Sequence, residues 1–475
     1  MKRSMPFLIA LLILWLLAAP ASAESGPIVV RPDQDLPVDG ALRQAIVDSL
    51  STALNETYVF PEVAAKMEKE IRGNLKKGKY DGTATIAEFA MLLMDDVRGV
   101  SHDLHLGVIF MPDEEIARML EGEEEEEARR TEEMRATLRR ENFRFKKVEI
   151  LDGNVGYLRL DNFIDTRLSG PTAVAAMNFL GNCDALIIDL RQNGGGSPSL
   201  IQLMMGYLLG EPTHLNSFYI RKEDRTDQFW SSPYAPGGSL AEVDLYVLIG
   251  PRTGSAAEEF AYNVQSLKRG TLIGESTWGG AHPVDRFVWK SLHVGAQIPF
   301  GRAVNPITGT NWEGVGVLPD MEIGAERALD VAHLEALKKI RERTDDPLYA
   351  ERLDWAIQGL ELGGKEVEID DEVLASYAGV YEDRVIENRE GTLFYRRGEM
   401  PERRMTPLSP ALFTLEGIEG FRLEVVTDES GSPVMLRGHY AQGMTDESRR
   451  TGALGEAEPS PMGEPMRVRR VIQGG

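Results

Sequence analysis

Three scarcities bound this chain. The first is cysteine: 475 residues hold one, Cys183. A lone thiol makes neither an internal disulfide nor a multi-cysteine zinc site. Its flanks, Asn182 and Asp184 followed by apolar Ala185 to Ile188, point to a structural thiol at the mouth of a strand. The second is positive charge. With 52 Lys+Arg against 75 Asp+Glu the net charge is −23, a field that repels phosphate backbones and argues against a nucleic-acid partner. The third is long apolar runs. No segment after the first 23 residues approaches the ~18 apolar residues of a membrane span, so no stable membrane insertion of the mature chain is expected. What remains is ordinary: 42% hydrophobic and 27% charged residues, enough chain for about three domains with cores of their own.

The N-terminus reads as an address. Lys2 and Arg3 precede the apolar run Phe7–Ala19, and Ala21-Ser22-Ala23 supplies the small residues that a signal peptidase accepts. Thirteen helical residues rise only ~20 Å, short of a ~30 Å hydrocarbon core. A signal peptide over 1–23 and a periplasmic or secreted product are expected.

Residues 27–110 show helical periodicity, in Val38–Leu54, Val63–Leu75 and Ile86–Val97, and read as a small helical bundle. Residues 111–144 form an acidic helical excursion, read as a solvated face. From 145 to 345 apolar strands alternate with helices. Val148–Leu151 and Val155–Leu160 read as a hairpin, followed by helix Pro171–Leu180, strand Ala185–Leu190, helix Ser199–Leu209, strand Leu245–Ile249, helix Ala256–Leu267 and strand Thr271–Ile273. That alternation predicts a mostly parallel sheet covered on both faces. A helical linker (346–371), a small antiparallel β domain (372–452) and a mobile Pro- and Gly-rich tail (453–475) complete the expected organisation.

Chemistry is concentrated in four places. Ser255 lies between a buried strand and a helix, where helix N-terminal amides can stabilise an oxyanion. The same residues, Ser255 and Glu258, also satisfy a capping box. Gly194-Gly195-Gly196 follows a strand and lacks the Gly-Lys-Ser/Thr ending of a phosphate loop, so an amide nest suits it better. A serine nucleophile needs a base. Lys268 lies 13 residues on along the same helix, ~20 Å away. His102 and His105 in Ser101-His102-Asp103-Leu104-His105, or His282, are better candidates. His102 and His105 are spaced as metal ligands too, but no third ligand is evident and the segment reads as extended. No metal or cofactor is expected. Glu313, among glycines, reads as a loop residue or as the carboxylate that orients a base.

Together these segments resemble the superfamily of serine peptidases that holds tail-specific (C-terminal processing) proteases, the tricorn core and interphotoreceptor retinoid-binding protein. The resemblance rests on Tyr58–Glu62, His102–Leu106, Val155–Tyr157, Asp189–Gly196, Ser255–Glu258, Gly274–Pro283 and Glu313–Asp320, in the family's order. It implies an α/β, crotonase-like core with βαβ units, an N-terminal helical bundle and a C-terminal antiparallel β domain similar to lipocalin-like modules. It also implies a Ser255 nucleophile, an oxyanion hole from the Gly194-Gly195 loop and the Ala256 amide, a His105 base and a Glu313 partner. The tail-specific branch uses a lysine where this chain has Gly280, so the tricorn and retinoid-binding branch is the nearer. His102, His282 and Glu258 are secondary candidates. A peptidase acting on peptides or proteins is expected, alone or as a homo-oligomer. A non-catalytic binder of apolar ligands and an esterase or amidase are the alternatives.

Overall fold

Three helices open the fold. Asp39 accepts the Leu42 N–H at 2.7 Å to start Gly40–Thr57, Pro61 stands at the first position of Pro61–Lys76, and Thr85 caps Ile86–Ser101. These elements come from a computed structural model of the chain, which describes residues 35–120, 124–363, 367–454 and 469–470. The expected signal peptide and most of the expected tail lie outside the described residues. The chain divides into two units, one up to Ala332 and one from His333.

In the first unit, the apolar faces of the three helices do not close on each other alone. Val294, Ala296 and Ile298 share their core. These residues belong to strand Val294–Pro299, which pairs antiparallel with Gly107–Phe110 and with Val284–Trp289. A second three-stranded antiparallel sheet joins Gly301–Val304, His214–Ile220 and Arg225–Trp230. The acidic excursion is helical, as Asp113–Leu120 and Glu124–Arg140.

Six strands form the central sheet, in the order Met321–Glu322, Thr271–Gly274, Asp244–Ile249, Ala185–Asp189, Val155–Leu160, Phe145–Leu151. The first four pairings are parallel and the last is the antiparallel hairpin. Every residue of Ala185–Asp189 is buried, the continuous apolar pattern of a strand covered on both faces. Helices Thr166–Phe179, Pro198–Leu208 and Ala256–Ser266 contribute to its core. The first of these starts five residues before the expected Pro171. Asp165 accepts the Arg167 N–H at 2.9 Å and caps it, and Pro171 is accommodated inside. Cys183 is buried and unpaired, and burial pushes its thiol up to about 11, so it behaves as a small core residue.

In the second unit, helices Pro347–Gly363 and Asp371–Tyr377 precede an antiparallel meander from Gly379–Tyr381 to Met444–Arg449. Backbone bonds from Val380 N–H to Gly452 (3.0 Å) and from Thr451 N–H to Val380 (2.8 Å) bring the end of the meander back to its first strand, which makes it nearly a barrel. Arg384, fully buried, pairs with Asp446, and Asp446 also takes Arg397 (3.0 Å) and the Tyr440 hydroxyl (3.1 Å). Burial alone would raise the Asp446 carboxyl, but the two guanidiniums hold it below its ordinary value. Removing one partner strands a buried charge. Asp446→Ala is therefore expected to cost the second unit about 3–5 kcal/mol, read as a lower denaturant midpoint. An unchanged midpoint would count against this pair as its buried clamp.

Candidate active site

The loops that meet at the site leave adjacent parallel strands. Ala185–Asp189 runs into Gly194-Gly195-Gly196, and its neighbour Asp244–Ile249 runs into Thr253-Gly254-Ser255. Their carboxyl ends lie side by side, so the loops converge where open α/β sheets bind ligands. The Gly254 N–H reaches the Asn193 carbonyl at 3.0 Å. Gly195, at φ 113°, packs so closely that a Cβ there would stand 2.8 Å from the Ser255 Cβ and 3.1 Å from the Ala256 nitrogen. Only glycine permits that approach.

Ser255 stands at the tip of helix Ala256–Ser266 with φ 50° and ψ −118°. An ordinary capping serine is extended. This one is strained, a conformation that persists only where the surroundings impose it. The surroundings here are Glu258. Its carboxylate accepts the Ser255 N–H (2.7 Å), the Thr277 hydroxyl (2.6 Å), and the amides of Gly279 (2.5 Å) and Gly280 (3.0 Å). Glu258 is fully buried, and burial raises its carboxyl against the pull of these donors. It thus pins the serine to the loop carrying Gly280 and His282.

His105 comes from far upstream. His102, at φ 55°, ends its helix in a left-handed turn and stays exposed. The next residues turn back, with Asp103 Oδ1 accepting the His105 N–H at 3.0 Å and Arg98 bonding the carbonyls of Leu104 and Leu106 at 2.9 and 2.7 Å. The segment is a braced turn rather than the expected extended one. His105 is buried against the edge of Trp278, with ring centroids 4.9 Å apart. The same Trp278 ring lies 3.6 Å from where a Gly254 Cβ would be, so one indole touches both the imidazole and the serine loop.

Glu313 ties the remaining loops together. Its two oxygens accept the amides of Leu104 (3.2 Å) and Ala281 (2.5 Å). Its Oε2 lies 3.7 Å from His105 Nδ1 and 3.6 Å from His282 Nδ1, beyond hydrogen-bond length but within ion-pair reach of both. His282 is the better anchored, since its Nδ1 sits 2.7 Å from Asp103 Oδ2, which also accepts the Tyr58 hydroxyl at 3.1 Å. Burial would lower the His282 imidazole, but Asp103 outweighs it and holds it above its ordinary value. Burial likewise acts to raise the Asp103 carboxyl, and His282 reverses that to leave it depressed.

The sequence-expected residues Ser255, His105, Glu313, Glu258 and His282 therefore meet around one set of loops, and His102 does not join them. Two features qualify the amide nest. The Gly195 N–H is donated to the Asn193 side chain at 2.9 Å, and the Gly195 carbonyl accepts the Phe163 N–H at 2.7 Å. Asp103, Asn193 and Trp278 carried no assigned role in the sequence, although an Asp two residues before a base is a recognisable turn signal. Ligand atoms of Asp103, His105 and Glu313 lie within 4.8 Å of one another. Their carboxylate oxygens already serve Tyr58, His282, Leu104 and Ala281, so this set is built around internal donors.

Comparison with known proteins bears on this arrangement. Residues 154–323 match the model of peptidase family S41, and residues 41–151 match the N-terminal domain of that family in eukaryotic IRBP. A tail-specific protease of Haemophilus influenzae is 32% identical over 98 residues, 20% of this chain and 13% of that protein. A tricorn-like protease C-terminal subunit of Sulfurisphaera tokodaii is 29% identical over 175 residues, 34% of this chain and 18% of that protein. The chain thus spans under a fifth of either curated relative. Mature CPAF is similar at a TM-score of 0.44 and 12% identity, over 63% of this chain and 96% of that structure.

Two outcomes follow from the geometry. A Cβ on Gly280 would stand 2.4 Å from His105 Cε1 and 2.2 Å from Trp278 Cζ3. Gly280→Ala should displace the imidazole, read as a shifted His105 ring resonance, with near-native circular dichroism. The Asp103–His282 pair has a pH signature. The depressed Asp103 carboxyl contributes stability above its unfolded value of ~3.9, lost as pH falls through the folded value. The raised His282 contributes stability that is complete below its unfolded value of ~6.5, lost as pH rises through the folded value. The gap in melting temperature between the native chain and Asp103→Asn should be widest between about pH 4 and 6.5 and narrow on either side. A gap that does not vary with pH would remove the pair from this account.

Proposed function

We propose that this chain, whose residues 154–323 belong to peptidase family S41, is an exported serine peptidase that hydrolyses peptide bonds through Ser255, His105 and Glu313. The observation that carries the reading is a strained serine at a helix tip, on a loop that touches the same Trp278 as the His105 imidazole, with the Glu313 carboxylate 3.7 Å from that imidazole. Export rests on the Lys2–Ala23 pattern, and among the described residues no helix is long and apolar enough to cross a membrane.

In this mechanism the Ser255 hydroxyl attacks the substrate carbonyl as His105 takes its proton. Glu313 lies 3.7 Å from Nδ1, within ion-pair reach to stabilise the imidazolium, and Nε2 serves the hydroxyl. The oxyanion is met by the Ala256 amide and by the Gly194-Gly195 loop, whose Gly195 N–H must be shared with Asn193. A donor of this kind is worth roughly 3 kcal/mol. His105 then protonates the departing amine, and water, deprotonated by the same imidazole, hydrolyses the acyl-serine.

A second reading concerns the base. His282, not His105, lines the cavity beside Ser255, and its Nδ1 is already held by Asp103. Single variants separate the two. Ser255→Ala should lower peptide cleavage by about 10⁴-fold or more and abolish fluorophosphonate labelling. His105→Ala should approach that loss, and His282→Ala should fall short of it by at least about tenfold. The reverse order would make His282 the base, and undiminished cleavage by Ser255→Ala would remove the serine from the mechanism.

A further inference from the structure

A cavity of about 850 Å³ opens beside Ser255. Phe163, Phe218, Phe229 and Trp312 give it apolar walls. One carboxyl lines it from the nucleophile's own helix, Glu259. It stands four residues after Ser255, on the same helix face and about 6 Å further along the axis. Only 3% of Glu259 is exposed.

The other carboxylates of the wall differ. Asp161 is paired with Arg159, Asp165 with Arg167, and Asp227 with Arg225. Asp285, on the exposed rim, and Glu259 have no ion pair among the described residues, and of these two only Glu259 is buried. Burial pushes the Glu259 carboxyl up to about 7, with Asn216 the side chain that pulls the other way. An acidic residue in the first turn of a helix favours the helix dipole, but an exposed carboxylate would do that without the cost of desolvation. A buried acid without an ion pair, on the wall of a cavity that aromatic rings also line, is short of one positive group.

We propose that this cavity receives the substrate side chain next to the scissile carbonyl, and that Glu259 is the specificity-determining residue that selects lysine or arginine there. The apolar walls cover the aliphatic stem, the aromatic faces favour the cation, and the stem is long enough to reach one helical turn below the reacting hydroxyl. The arriving charge holds Glu259 ionised. The inference rests on Ser255 being the nucleophile, and the test keeps the two apart.

The full chain is assayed with fluorogenic peptides that differ only in the residue before the cleaved bond, lysine, arginine, leucine or phenylalanine, alongside fluorophosphonate labelling of Ser255. The native chain is expected to prefer lysine and arginine over leucine by at least about tenfold in kcat/KM. Glu259→Gln should erase that preference while leaving leucine cleavage and the labelling rate unchanged. Normal labelling with no basic preference in the native chain would overturn the proposal, whether or not any variant folds. An equal loss on all four peptides in Glu259→Gln would also overturn it, since that is the mark of a merely structural residue. Absence of both labelling and cleavage in the native chain would overturn the nucleophile reading, and this inference with it.

Discussion

The Glu258 carboxylate is the constraint on which the site depends. It is fully buried and takes four donors, from Ser255, Thr277, Gly279 and Gly280. Without it, a serine at φ 50° would relax toward the extended conformation of an ordinary cap. The capping box and the proposed nucleophile are therefore not rival accounts of Ser255. The return half of the box, from the glutamate to the serine's own amide, is the bond that holds the strained backbone in place.

A second buried acidic layer solves a different problem. His105 and His282 come from segments more than 170 residues apart in the chain, and Glu313 comes from a third. Glu313 accepts one amide from each histidine loop, so it fixes two backbones as well as facing two rings. Asp103 adds a short imidazole–carboxylate contact, at 2.7 Å to His282. The proton chemistry proposed for the site thus draws on a network whose members also brace one another, and deleting one will disturb more than its own contact.

Much of this was legible in the sequence, for identifiable reasons. Helical periodicity marked the three N-terminal helices, and the uninterrupted apolar run at Ala185–Ile188 marked a doubly covered strand. The Ser255 and Glu313 neighbourhoods stood out because polar groups sat among glycines at element ends, whereas His105 was singled out from His102 and His282 only by the family resemblance. The half-polar strands were harder to read. Val284–Trp289 and Arg225–Trp230 each carry two charged residues and were not distinguished from loops, although the first of these belongs to the sheet that completes the N-terminal core. Pro171 drew the helix boundary inward because proline usually opens a helix, and the Asp165 cap six residues earlier outranked it. Glu259 passed as one more acid in a helix's first turn, because burial is a tertiary property that no local pattern records. The near-closure of the second unit depends on Val380 meeting residues 451–452, a pairing across some 70 residues.

Gly280 has one further consequence. The volume that a side chain would need at this position is already filled by the His105 imidazole and the Trp278 indole. A lysine there and a histidine at 105 are thus alternative tenants of the same space. A lineage passing from a lysine here to a histidine at 105 could not go through an ancestor that held both. It would have to cross an inactive stage, change both positions together, or lean on His282 in the interim, and a second imidazole close at hand is the kind of redundancy that would make such a crossing survivable.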